Sequence, residues 1–112
     1  MAKTDANSWH GTGNLGRDPE VRYTQSGKAV CSMSLGVGKR TSSGDGGTSW
    51  ITLVAWDKLA EICGEYLRKG SKIYAEGRLE TREYEKDGQK RYATEVILRE
   101  MVMLDKKDEA PF

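Results

Sequence analysis

Residues 48–70, TSWITLVAWDKLAEICGEYLRKG, change their hydrophobic period once, and that change limits the folds open to the chain. Up to Trp56 the period is two, with Ile51, Leu53 and Ala55 on one side and Trp50, Thr52, Val54 and Trp56 on the other. From Asp57 onward Leu59, Ile62, Cys63, Tyr66 and Leu67 recur at helical spacing, which predicts a strand running straight into an amphipathic helix. Asp57 is placed to cap the first turn, Arg68 and Lys69 to favour the last, and Gly70 to end it. A helix joined to its strand without a linker must bury its apolar face on the same sheet.

Alternation recurs on both sides of this junction. Residues 8–15 form a weak first segment, SWHGTGNL. In residues 29–39, AVCSMSLGVGK, Cys31, Met33, Leu35 and Val37 share a face. After the helix, SKIYAEGRLETREYE puts Ile73, Ala75, Leu79 and Thr81 on one face and Tyr74, Glu76, Arg78, Arg82 and Tyr84 on the other. Asp87-Gly88 predicts a tight turn, and KRYATEVILREMVML returns as the last strand. Gly77 inside its strand predicts a bulge or a sharp bend. RTSSGDGGTS, between the second and third segments, reads as a mobile loop. The expected architecture is all-β with one helix: an OB-fold, a five-stranded Greek-key barrel with the helix between the third and fourth strands, over residues 1–104.

Several chemistries lack material. His10 is the sole histidine and Cys31 and Cys63 sit in apolar patterns, so free buried thiols are expected, and no metal site. SLGVGKRTSSG is no phosphate loop, because Met33 stands where a glycine and Arg40 where a hydroxyl residue is required. No nucleophile, base and orienting group assemble, so neither an enzyme nor a cofactor is expected. With 31% charged residues and no apolar run of membrane-spanning length or signal-peptide character, the expected location is the cytoplasm.

The two tryptophans on the non-core face of residues 48–56 therefore need another explanation. One is a secondary core or an oligomer interface. The other is a stacking surface, because the fourth segment adds Arg78, Arg82, Tyr74 and Tyr84, and aromatics interleaved with guanidinium groups suit the bases and phosphates of single strands. Candidate stacking residues are Trp50, Trp56 and Tyr84, and candidate phosphate contacts are Arg22, Lys39, Arg40, Lys58, Lys69 and Arg82.

GNLGRDPEVRY (residues 13–23), TSWITLVAWDKLAE (48–61), EYLRKGSKIYAEGRLETREY (65–84) and RYATEV (91–96), in this order and spacing, resemble the bacterial single-stranded DNA-binding protein family. The resemblance implies an OB-fold that binds single-stranded DNA without sequence preference in replication, recombination and repair, as a homo-oligomer of two or four chains. The short length suits a phage or plasmid version. Family stacking positions fall on Trp50, Trp56 and Tyr84, and family basic positions on Arg22, Lys58, Lys69 and Arg82. The resemblance also makes residues 105–112 an acidic tip, in which Asp108, Glu109, Pro111 and Phe112 would recruit replication and repair proteins. Four features depart from the family pattern: SWHGTG replaces an apolar first strand, GKRTSSGDGG lacks an aromatic, Ile51 stands in place of a histidine, and DEAPF follows almost no linker. A primosome-type OB-fold assembly protein and a single-stranded RNA-binding protein are the alternative readings.

Overall fold

Alternation and ring closure define the fold. In the computed structural model the described residues are 5–42 and 44–105, less the side chains of Arg40, Thr41 and Asp45. The elements are β1 (Trp9–Leu15), β2 (Glu20–Tyr23), β3 (Ala29–Thr41), β4 (Gly44–Trp56), α1 (Asp57–Tyr66), β5 (Lys72–Lys86) and β6 (Gln89–Met103). Hydrogen bonding runs β1-β5-β6-β4-β3, and β1 pairs back onto β3 at Asn14↔Gly36 and Leu15↔Leu35, which closes a five-stranded barrel. All pairings are antiparallel except β4 with β6. This is the expected OB-fold, with α1 between the third and fourth barrel strands.

The predicted core faces fill the barrel, except that Leu79 and Thr81, expected beside Ile73 and Ala75, are exposed on β5 beyond Gly77. Cys31, Met33 and Leu35 of β3, Leu53 and Ala55 of β4, Ile73 and Ala75 of β5, and Val96 of β6 are fully buried. Ala60 and Cys63 of α1, with Leu67 just beyond it, close one side. The helix lies so close to β2 that a Cβ on Gly64 would collide with Val21. Small residues at Ala60 and Gly64 permit that approach, and Tyr66, expected on the apolar face, is instead 56% exposed.

Four further expectations are corrected. β2 was not anticipated: EVRY is too short and polar for alternation to signal, and among the described residues it pairs only along β3 at the edge of the barrel. Residues 40–42 and 44–49 are no loose loop, because β3 and β4 continue beyond the barrel as a two-stranded ribbon, pairing Val37↔Ser49, Gly38↔Thr48, Arg40↔Asp45 and Thr41↔Gly44 across a register shift. Backbone bonds build such a ribbon without apolar residues, and Gly44 and Gly47 take the positive φ values it needs. Asp57 does not cap α1: its φ of 59° carries the strand into the helix, and Trp56 occupies the cap position with no side-chain bond. Arg68 and Lys69 lie beyond the last turn, although Arg68 Nη1 still donates to the Gly64 and Leu67 carbonyls at 3.1 and 2.6 Å.

The Gly77 prediction holds, with the extra residue on the partner strand. Pairing steps from Glu76↔Glu100 to Gly77↔Leu98 and leaves Arg99 as the bulge. A Cβ on Gly77 would strike the Ile97 carbonyl. From Thr81↔Thr94 outward β5 and β6 form an exposed arm, ended by Asp87 and Gly88 at φ 54° and 77°.

Candidate nucleic-acid interface

The even-numbered face of β4 is intact from Trp50 to Trp56, because its pairing with β3 runs without a shift from Gly36↔Trp50 to Val30↔Trp56. Six residues of extended chain set the two indoles about 20 Å apart on one side of the sheet. Trp50 is 60% exposed and Trp56 41%. Trp50 lies over two glycines: a Cβ at Gly16 would meet its Cζ3 at 2.6 Å, and one at Gly36 at 2.9 Å. Without side chains beneath it, the ring lies close on the backbone and leaves its other side open. A flat ring held this way and 60% exposed has the geometry that stacking of a base requires. Neither glycine was singled out from the sequence, where only the cross-strand partner of Trp50 would have pointed to Gly36.

Trp56 instead borders a cleft of about 400 Å³. Val30, Val54 and Ile97 supply apolar lining, and Arg22, Arg82, Glu20, Glu80 and Glu95 add charge. The arginines here already hold carboxylates. Arg22 Nη2 donates to Glu20 at 2.9 Å, Arg82 Nε to Glu95 at 3.0 Å, and neighbouring Arg78 pairs with Glu80 at 3.0 Å. Arg22 beside Glu20 holds that carboxyl below its ordinary value. The Arg82 guanidinium also stands 5.4 Å from the centre of the Tyr84 ring, which joins Tyr84, on the β5–β6 arm, to the same face. These glutamates were missed because a glutamate on a strand reads as solvated surface until cross-strand pairing such as Glu80↔Glu95 gives it neighbours.

The other sequence-predicted residues are spread more widely. Lys58 is exposed on the first turn of α1, two residues past Trp56. Lys69 sits in a loop fastened to the chain beneath Trp50: its N–H donates to Asp18 Oδ1 at 2.8 Å, and the Gly70 N–H to the Leu15 carbonyl at 2.8 Å. Lys39 is exposed on the ribbon. The side chain of Arg40 and the whole of Asp108, Glu109, Pro111 and Phe112 lie outside the described residues. Tyr74, on the β1 side of the barrel, donates its hydroxyl to Glu76 at 2.8 Å, and Arg99 Nη2 donates to the other carboxylate oxygen at 2.6 Å. Cys31 and Cys63 are free and buried, and burial pushes the Cys63 thiol up to about 12. Among the described residues no group of side chains has the composition of a metal site, and no helix is long and apolar enough to cross a membrane.

Residues 7–104 match the model of the single-strand binding protein family. The chain belongs to that family. It is 48% identical over 102 residues to "Single-stranded DNA-binding protein 1" of Chlorobaculum tepidum, covering 86% of this chain and 63% of that protein. It is 43% identical over 102 residues to the "Single-stranded DNA-binding protein" of Neisseria meningitidis serogroup A, covering 87% of this chain and 59% of that protein. The chain thus spans about three fifths of the length of these relatives. The matched region contains every barrel strand of this single-strand binding family member, together with Trp50, Trp56 and Tyr84.

Proposed function

We propose that this protein binds and protects single-stranded DNA without a chemical step, in the cytoplasm, during replication, recombination and repair. Bases stack on Trp50, Trp56 and Tyr84, and phosphates meet Arg22, Lys39, Arg40, Lys58, Lys69 and Arg82 along the margins. The observation that carries this reading is Trp50, seated on Gly16 and Gly36 with its upper surface open, on the same face as Trp56. A duplex hides its base faces, so such platforms select unpaired strands. The names of the relatives favour DNA over RNA.

A second copy of the chain is part of the proposal. Between Trp9 and Thr12, β1 pairs only with β5 among the described residues, which leaves a strand edge able to add a neighbour. The tip at Asp108, Glu109, Pro111 and Phe112 would recruit replication and repair proteins, as the family resemblance implies.

Fluorescence anisotropy of labelled oligo(dT) tests the reading. Trp50→Ala and Trp56→Ala should each weaken binding by about 1 to 3 kcal/mol while the variants stay folded. Unchanged affinity in both would remove them from the interface, and micromolar binding by the native protein would favour the assembly-protein alternative. Competition by RNA of equal length, equal to that of DNA, would favour the RNA alternative.

A further inference from the structure

Among the carboxylates of the Trp56 cleft, Glu95 stands apart. The residue is 8% exposed, lines the cleft, and gives only Oε2 to Arg82. Its Oε1 accepts no hydrogen bond among the described residues, and neither terminal nitrogen of Arg82 donates one. Glu20 and Glu80, by contrast, are exposed and held by Arg22 and Arg78. An open acceptor therefore lies beside open donors, above an apolar lining and next to an indole wall.

No buried side-chain oxygen among the described residues lacks a partner, so Oε1 is reached from the cleft, where it can accept from an N–H donor, and a phosphodiester has none to give. A nucleobase stacked on Trp56 has such donors on its polar edge. Cytosine, adenine and guanine each place an amino or ring N–H donor beside an acceptor, the complement of Glu95 Oε1 beside Arg82. Thymine presents carbonyls on both sides of its single N–H, and these would face the carboxylate.

We propose that the Trp56 cleft reads the edge of the base it holds, with Glu95 and Arg82 favouring an amino-bearing base, of which cytosine is the one tested against thymine below. This inference rests on the reading of Trp56 as a stacking residue. It adds a local preference to a surface whose remaining contacts ignore sequence.

The test compares native protein with Glu95→Gln on oligo(dC) and oligo(dT) of equal length. Stiffness differs between the free strands but is common to both proteins, so it cancels when the dC-to-dT affinity ratios are compared. The glutamine amide donates as well as accepts and suits thymine O4, so the ratio should fall about tenfold. An unchanged ratio overturns the inference, including the case where both affinities rise because a carboxylate that merely repelled phosphate is gone. A second measurement needs no variant: native protein should bind a strand with 2-pyrimidinone, cytosine without its amine, about tenfold more weakly than oligo(dC), and equal binding would overturn the inference. Trp56→Ala separates the two readings. If it weakens binding while the Glu95→Gln ratio stays unchanged, stacking stands and base reading fails; if it binds both strands as the native protein does, stacking at Trp56 fails.

Discussion

Replacing Gly36 with alanine adds one methyl group beneath Trp50. Built on the present backbone, that methyl would lie 2.9 Å from Cζ3, 3.0 Å from Cη2 and 3.1 Å from the Thr48 methyl. Carbon atoms settle at about 3.5 to 4.0 Å, so the ring must retreat by roughly 0.5 to 1 Å. At 60% exposure it has room to swing outward, which spares the fold but tilts the platform. Gly36 does not use a positive φ, so alanine meets no backbone strain there, and a compatible Gly→Ala change contributes about 0.4 to 1 kcal/mol through the unfolded chain. Thermal stability should therefore change little, while affinity for oligo(dT) falls toward that of Trp50→Ala, a loss of up to about 1 to 3 kcal/mol. Anisotropy titration paired with a thermal melt reads both quantities. Full affinity in Gly36→Ala, alongside a clear loss in Trp50→Ala, would refute the idea that the glycine bed holds the ring in its working position.

Three other substitutions and conditions follow from the same structure. Gly77→Ala drives a methyl into the Ile97 carbonyl where neither strand can easily give, and urea denaturation should show a loss of about 1 to 3 kcal/mol; native-like stability would mean the bulge is soft. Lys58→Ala should reduce the slope of log affinity against log salt by about 0.7. Arg22→Ala should reduce it less, since Glu20 already neutralises that arginine. The Cys63 thiol, raised from 9.0 to about 12 by burial, should resist iodoacetamide at pH 8 until denaturant is added. Because its folded value lies above its unfolded one, its contribution to stability is complete below pH 9 and is lost as pH rises toward 12. Melting temperature should fall over that alkaline window, and a flat profile would contradict the burial.

Strand parity made the core of β3 and β4 and the outward tryptophans legible, because a half-buried barrel strand enforces alternation. Asp87-Gly88 gave away the arm's turn for a similarly local reason, the positive φ at both positions. What escaped depends on pairing between distant residues. β2 exists because β3 has a free edge beside α1, and neither its length nor its composition announces that. The ribbon at residues 40–42 and 44–49 is built from backbone bonds, to which side-chain pattern is blind. Likewise, Gly16 and Gly36 matter through a ring contributed by β4, and Glu95 through an arginine on β5. The basic residues were the least legible part of the interface, since Arg22 and Arg82 carry partners that sequence position alone does not reveal.

Intrinsic tryptophan fluorescence reports on Trp50 and Trp56, with Trp9 as a shared background. Titration with oligo(dT), and separately with duplex of equal length, at two salt concentrations, should give strong quenching by the single strand alone, weakened by added salt. The Trp50→Ala and Trp56→Ala variants should each retain only part of that signal. An absence of quenching by the single strand, or equal quenching by the duplex, would contradict stacking on the β4 face.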